Sequence, residues 1–509
     1  MRLLLALALT ALIALPAAAG LLSGVAEAQP ETIVIGALLP LTGDLQSYGV
    51  RAKTAVQYAV EDMNQLLEER DAWFRLELVV VDTQTKPDVA VQQLNSLIAQ
   101  GIKFVVGPMT SAEVKKIKDL ADANNVLVIS PSSTAIELAI PGDNIFRFTP
   151  ADDVQSKAVG ALARELGIRG VVIINRADTW GEGLAKATRE VLEAAGIEVR
   201  NVYSYNPESP NFSAIAASAA DDVRALVEQY GRDKVAVIAI GFKEVVQLFK
   251  QAANYKELRE VAWFGSDGTA NLSEFIDDPV AARFAVETLF INPIFSPSAT
   301  EVQERVKERM LQDLGEEPDA YSYAAYDAVV AITLALLQTG PMESLDELVN
   351  ATKELLPQIT ESDEFAQLAA TGKFPLNDAG DRATADYDWW IVAEVEGKPQ
   401  WVKIGVYRGL QDANEWIEIP GIGELYPDLF RKKFAPMMEE PQPREEPAEE
   451  TTPAEEREEA TPEREEATPA PEQPAEEAEE GANMTLLVAA VVLIVIIAAA
   501  AFYFLRMRS

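Results

Sequence analysis

From residue 31 onward, short runs of β-branched and aliphatic residues alternate with stretches whose apolar positions recur every three or four residues. ETIVIGALL (31–39) reads as a strand, 48–69 as a helix, FRLELVVV (74–81) as a strand and 87–100 as a helix. KFVVG (103–107) leads into a helix over 111–123, VLVIS (126–130) into a shorter one, and IFRF (145–148) ends this series. A second series starts with a helix from 153. It continues through strands GVVIIN (170–175), IEVRNVYSY (197–205), KVAVIAI (234–240) and AWFGSDG (262–268), with helices over 181–195 and 212–230. Continuously apolar strands alternating with helices predict parallel sheets covered on both faces. Two successive series, each about a domain long, predict two doubly wound α/β lobes.

Beyond residue 280 the pattern changes. VETLFIN (286–292) reads as a strand, followed by helices near 299–313, 320–338 and 344–356. Two aromatic strands, DYDWWIVAEV (386–395) and QWVKIGVY (400–407), flank Glu396-Gly397-Lys398-Pro399 and predict a hairpin. No repeat of solenoid period is present.

The two ends predict where the chain resides. Arg2 and an apolar run to about Pro16, with Ala26-Glu27-Ala28 as a small-x-small site, predict a signal peptide over 1–28. Residues 484–505 form 22 consecutive uncharged residues, roughly 33 Å of helix and enough to cross a bilayer core. Arg506 and Arg508 follow, so the tail 506–509 is expected in the cytoplasm and the bulk of the chain outside. Between them, residues 435–482 carry 18 Glu against 3 Arg, with 9 Pro and no aromatic residue. Such a segment cannot bury enough apolar surface to fold and is expected to act as an extended acidic tether. These segments predict a single-pass cell-membrane protein with an extracellular domain over 29–434.

Composition then removes whole classes of chemistry. The 509 residues carry a net charge of −38 and contain neither cysteine nor histidine. Nucleic-acid binding lacks its basic footprint. Thiol nucleophiles, Ser-His-Asp triads and the usual zinc ligand sets are excluded by inventory, as is a lipid-modified N-terminal cysteine. Neither an enzyme nor a cofactor is expected. An extracellular enzyme would need paired carboxylates on facing loops, and only Asp267 has any such context; Asp62 and Asp82 read as structural or solvated.

Five segments, in order, carry a family likeness: IVIGALLPLTGDLQSYG (33–49), GPMTSAEV (107–114), ISPSSTAIEL (129–138), RADTWGEGLA (176–185) and WFGSDG (263–268). PLNDAGDR (375–382) and the late hairpin complete it. In this arrangement the chain resembles the type I periplasmic solute-binding proteins, in the leucine/isoleucine/valine-binding branch of ABC importers. A C-terminal anchor in place of a lipid resembles archaeal members. The resemblance implies two lobes closing on a ligand across three hinge crossings, near 148–152, 275–285 and 355–375. The first lobe would hold about 31–149 and 280–356, the second about 150–279 and 375–434. It further implies capture of an amino acid, branched-chain or otherwise apolar, and delivery to an ABC permease. A sensory ectodomain of the same fold, binding an amide or another small molecule, is the alternative; a four-residue inner tail leaves it no output module.

An α-amino acid presents two fixed charges. For the carboxylate, strand-to-helix turns supply backbone N–H groups and a positive helix end; Ser111, beside Met109 and Thr110, stands where a helix starts, and Ser132 and Thr134 lie in a second turn. The resemblance gives Ser111, Ser132 and Thr134 the carboxylate and part of the ammonium, although hydroxyls at such places also serve as simple helix caps. It gives the ammonium to Asp267, where the family usually carries a glutamate. Tyr48, Met109, Trp180, Phe242 and Tyr321 fall at or near its side-chain contacts, with Trp180 bulkier than the usual tyrosine. Lys243, next to Phe242, could reach into the site and so keeps acidic ligands open.

Overall fold

A computed structural model describes residues 30–417. The segments expected to form a signal peptide (1–28), an acidic tether (435–482), a membrane span (484–505) and an inner tail (506–509) lie outside the described residues. The first series forms a five-stranded parallel sheet in the order β2-β1-β3-β4-β5, with β1 Glu31–Leu39, β2 Phe74–Asp82, β3 Phe104–Val106, β4 Leu127–Ser130 and β5 Ile145–Arg147. The second forms a four-stranded parallel sheet in the order β7-β6-β8-β9, with β6 Gly170–Arg176, β7 Glu198–Tyr205, β8 Val235–Ile240 and β9 Ala262–Phe264. β4, β6 and β8 are buried along their whole length, as expected of strands covered on both faces. In both sheets the order reverses beside the first strand of the series, and ligands of open α/β sheets bind at the carboxyl ends of strands beside such points.

Helices of the later chain complete the first lobe. Helix Ala320–Thr339 packs along helix Gln46–Glu69. It starts where Asp319 accepts from the Ser322 N–H (2.9 Å) and stops at Gly340, φ 72°. Among the described residues it alone is long and apolar enough to cross a bilayer, but 94% of its most apolar stretch is buried inside the lobe. It is a core helix.

A third, antiparallel sheet joins β10 Asn292–Ser296, β11 Asp386–Val395, β12 Lys398–Arg408 and β13 Ala413–Trp416 in that order. The β11–β12 hairpin turns on Glu396-Gly397, both with positive φ (52° and 77°), the conformation that matches strand twist in two-residue hairpins. It packs on the second lobe, where Trp401 meets Phe275 edge-on and donates its indole N–H to the Leu272 carbonyl at 2.9 Å.

The chain returns to the first lobe later than expected. VETLFIN is not a strand: Asp278 caps a helix, Pro279–Glu287, through the Val280 and Ala281 N–H groups. Phe284 of that helix packs on Phe249 and Trp263 in the core of the second lobe. The return therefore runs through β10 to helix Glu301–Asp313 rather than through 275–285. The first crossing runs from β5 to helix Asp152–Glu165, and the third from Ala369 to β11.

Candidate functional site

Between the lobes lies a cavity of about 310 Å³, counting its mouth. The first lobe contributes Leu45, Tyr48, Met109, Thr110, Ser111, Ser132 and Tyr321, and the second Trp180, Phe242, Asp267 and Gly268. Nine of the ten residues singled out from sequence thus share one wall-to-wall space. Thr134 is fully buried behind Ser132 and does not line it.

Two strand-to-helix turns build the first-lobe wall. After β3 the chain turns at Gly107, φ 98°, where a Cβ would strike the Leu38 carbonyl, so the backbone needs glycine. Thr110, not Ser111, caps helix Ser111–Ala123: its Oγ1 accepts from the Glu113 N–H at 3.2 Å, and its own N–H donates to Glu113 Oε2 at 3.0 Å. Ser111 Oγ is thereby left to join the turns, 2.9 Å from Ser133 Oγ and accepting from the Ala135 N–H at 3.2 Å. Ser132 Oγ donates to the Met109 carbonyl at 2.8 Å. Hydroxyls and a helix N-terminus therefore converge on one edge of the cavity, an arrangement suited to an anion.

The opposite wall is aromatic and acidic. Trp180 and Phe242 stack with centroids 4.9 Å apart and planes 15° apart, and the Arg176 guanidinium lies 3.8 Å over the Phe242 ring. Arg176 is itself fixed by Asp178 (2.5 Å) and Glu244 (2.9 Å). Next to this stack Asp267, 3% exposed, accepts from Tyr321 OH at 2.6 Å through Oδ2, while Oδ1 has no partner among the described residues. Burial pushes the Asp267 carboxyl up, against the opposing hydrogen bonds of Tyr321 and Gln155.

A second acid behind the wall escaped the sequence reading. Asp152 opens the first helix after the first crossing and is fully buried. Its Oδ1 accepts from Gln155 Nε2 at 3.2 Å. The Thr134 hydroxyl and Trp180 indole face its carboxylate, yet Oδ2 of Asp152 and Oγ1 of Thr134 complete no hydrogen bond among the described residues. Burial first, and the charge of Asp267 second, hold the Asp152 carboxyl well above its ordinary range. Its only local signal was an acid in a helix first turn, which is indistinguishable from ordinary dipole complementation.

Other candidates resolve differently. The Lys243 ammonium donates to the Gly43 carbonyl of the facing lobe and so spans the cleft edge rather than entering the cavity. Asp62 pairs with Arg309 at 2.8 Å and accepts from Tyr326 OH at 2.7 Å; Asp82 accepts from the N–H groups of Leu41, Thr42 and Gln84. Both are structural.

Residues 51–394 match the family described as "Receptor family ligand binding region". The chain belongs to that family, as a type I periplasmic binding protein of the leucine/isoleucine/valine-binding group. An uncharacterised protein of Methanocaldococcus jannaschii is 34% identical over 394 residues, covering 75% of this chain and 91% of its own. A Leu/Ile/Val-binding protein, BraC3, of Rhizobium johnstonii is 28% identical over 63% of this chain and 83% of its own. In solved structures, the leucine-binding LivK of Thermotoga maritima matches with a TM-score of 0.58 at 20% identity, over 73% of this chain and 97% of its own. The isoleucine complex of LivJ from Streptococcus pneumoniae matches at 0.57 and 22%, over 73% and 100%. The periplasmic binding protein fold is thus shared, and a ligand-binding role comes with the family.

Proposed function

We propose that this chain is the extracellular solute-binding component of an ABC importer, held at the membrane by residues 484–505, and that it captures an α-amino acid with an apolar side chain by hinge closure. One observation carries the reading: hydroxyls and a helix N-terminus from the first lobe face the buried carboxylate of Asp267 from the second across a single cavity. That polarity complements a zwitterion. Its carboxylate would sit at the Ser111–Ser132 edge, with the Thr134 turn behind. Its ammonium would meet Asp267, whose free oxygen accepts a charge-assisted hydrogen bond, with Asp152 reinforcing the field. The side chain would lie among Tyr48, Met109, Trp180, Phe242 and Tyr321. The Leu/Ile/Val-binding relative and the isoleucine-bound structural neighbour support amino acids as the ligand class.

The test is a thermal-shift and calorimetric screen of the full chain against L-leucine, L-valine, L-alanine, amides and sugars. An amino acid should raise the melting temperature with its concentration. Asp267→Asn should weaken its binding at least ~30-fold, the loss expected when one side of a buried charged pair is neutralised. A chain stabilised by a sugar but by no zwitterion, or an unchanged affinity in Asp267→Asn, overturns the reading.

A further inference from the structure

The PLNDAGDR segment (375–382) has no place in the cavity, yet it is built with care. Asn377 Oδ1 accepts from the N–H groups of Ala379 (2.9 Å) and Asp381 (3.0 Å), closing a tight turn. Gly380 takes φ 76° with Phe146 packed where a Cβ would stand (2.9 Å), so the turn lies flush on β5. The outcome is to deliver one carboxylate. Asp381, on the third crossing, accepts from Arg147 Nε at 2.5 Å and Nη2 at 2.6 Å, a two-point pair in which both side chains are 1% exposed.

Arg147 ends β5, at the first crossing. Its backbone bonds the same segment, donating N–H to the Gly380 carbonyl at 3.0 Å and accepting from the Arg382 N–H at 2.9 Å. Its remaining guanidinium nitrogen, Nη1, reaches the other way, to the carbonyls of Ala135 (2.7 Å) and Ser133 (3.4 Å). The Thr134 carbonyl between them accepts from the Asp152 N–H at 2.9 Å. Three consecutive carbonyls of the second ligand turn are therefore held on the hinge side, which commits the hydroxyls of Ser132 and Ser133 to the Met109 and Ser111 side of the turn.

We infer that Arg147 is a positioning residue for ligand binding: anchored by Asp381, it fixes the 132–135 turn and ties it to two of the three crossings, so that turn and hinge move as one piece. The inference rests on the amino-acid reading above only for the choice of probe. A buried pair by itself is weak evidence for stability; here its geometry is spent on the backbone of the site. Lysine would keep the charge but not the fork that serves two partners in opposite directions.

The experiment compares the full-length wild type with Arg147→Lys, Asp381→Asn, their double variant and the control Arg224→Lys, whose partner Glu257 lies on the surface of the second lobe. Hydrogen exchange is read on the ligand-free protein and L-leucine affinity by calorimetry. Arg147→Lys and Asp381→Asn should each speed exchange at least ~10-fold in 133–135 and 380–382 with β6 and β8 unchanged, and each raise the L-leucine Kd at least ~10-fold. The double variant should bind no more than ~3-fold worse than the weaker single, because both remove one contact. The control should match wild type. Unchanged exchange in the turn overturns the inference, as does a loosened turn with unaltered affinity, the signature of a purely structural pair. If Arg147→Lys fails to fold, Asp381→Asn decides alone. A wild type that binds no amino acid while the turn still loosens overturns the amino-acid reading and supports the positioning of the turn.

Discussion

Two carboxyls, Asp152 and Asp267, dominate the site because, among the described residues, neither is neutralised by a buried cation within bonding distance. Arg147 acts on Asp152 only through its field, its donors being taken by Asp381 and the 133–135 backbone. Both carboxyls are pushed up from the usual carboxylate range by burial, Asp152 the more strongly. Two buried acids in each other's field ionise in sequence, so in the shut, ligand-free cleft the pair retains a proton that the unfolded chain has already released. The sign follows. This retained proton favours the folded state at acid pH, and its contribution is lost as pH rises through the raised values. An arriving ammonium does the reverse, since it favours ionised acids and expels the proton. As pH rises from the ordinary carboxylate range through the raised one, amino-acid affinity should therefore increase by up to ~10-fold per pH unit, while the pair's contribution to ligand-free stability falls. Asp327, outside the site, is also pushed up, to about 6, by burial and contributes its own pH dependence. The deciding measurement is thus proton release on binding, by calorimetry in buffers of different ionisation enthalpy, and its loss in Asp152→Asn. Binding with no proton exchanged, or the same exchange in that variant, would remove the pair from the mechanism.

Turns after strands carry most of the site, and their tolerances are set by what packs behind them. Gly268 follows β9 and lies beside the aromatic stack: a Cβ there would stand 2.6 Å from Trp180 Cη2, 2.7 Å from the Gly241 carbonyl oxygen and 2.8 Å from Phe242 Cδ1. The rings can yield, but a backbone carbonyl cannot yield cheaply. Gly268→Ala should destabilise the fold by about 1–3 kcal/mol and weaken amino-acid binding as well, measured by thermal melting and by the tryptophan signal in near-ultraviolet circular dichroism. A variant with native stability and spectrum would show that the stack has slack. At this scale the sequence was largely readable. Apolar strand periods placed β1 to β9, and the ordered motifs named nine of the cavity residues. What it could not show were pairings between distant turns. Arg147 and Asp381 lie 234 positions apart, and no local pattern distinguishes an arginine that binds a carboxylate across the hinge from one that ends a strand at the surface. The helix Pro279–Glu287 was missed for another reason. The β-branched and aromatic residues of VETLFIN outweighed the Asp-Pro start signal just before them, and packing of Phe284 decided the matter.

Across the whole bilobed body, one side of the cleft is closed by bonds that join the lobes directly, most of them between residues outside the cavity wall. Ser47 Oγ donates to Glu274 Oε2 at 2.9 Å, Arg51 Nη2 to the Asn271 carbonyl at 3.1 Å, Tyr48 OH to the Asp267 carbonyl at 3.0 Å, and the Lys243 ammonium to the Gly43 carbonyl. Every donor or acceptor from the first lobe lies in 43–51, and every one from the second in 243–274. Such bonds exist only when the cleft is shut, so they bias the open–closed equilibrium and reach ligand affinity through it, since a ligand that contacts both lobes is tightly held only in the closed state. Removing the Ser47 or Lys243 bond leaves the walls of the cavity intact and subtracts its net worth, about 1 kcal/mol for a partly exposed hydrogen bond. Lys243→Ala and Ser47→Ala should each weaken amino-acid binding by roughly 3–10-fold. The loss should appear as faster release in stopped-flow fluorescence, with association little changed, because the open protein that first meets the ligand lacks these bonds. Slower association at an unaltered release rate would mean that Lys243 and Ser47 act at the mouth of the open cleft. The cross-cleft bonds would then have no part in holding it shut.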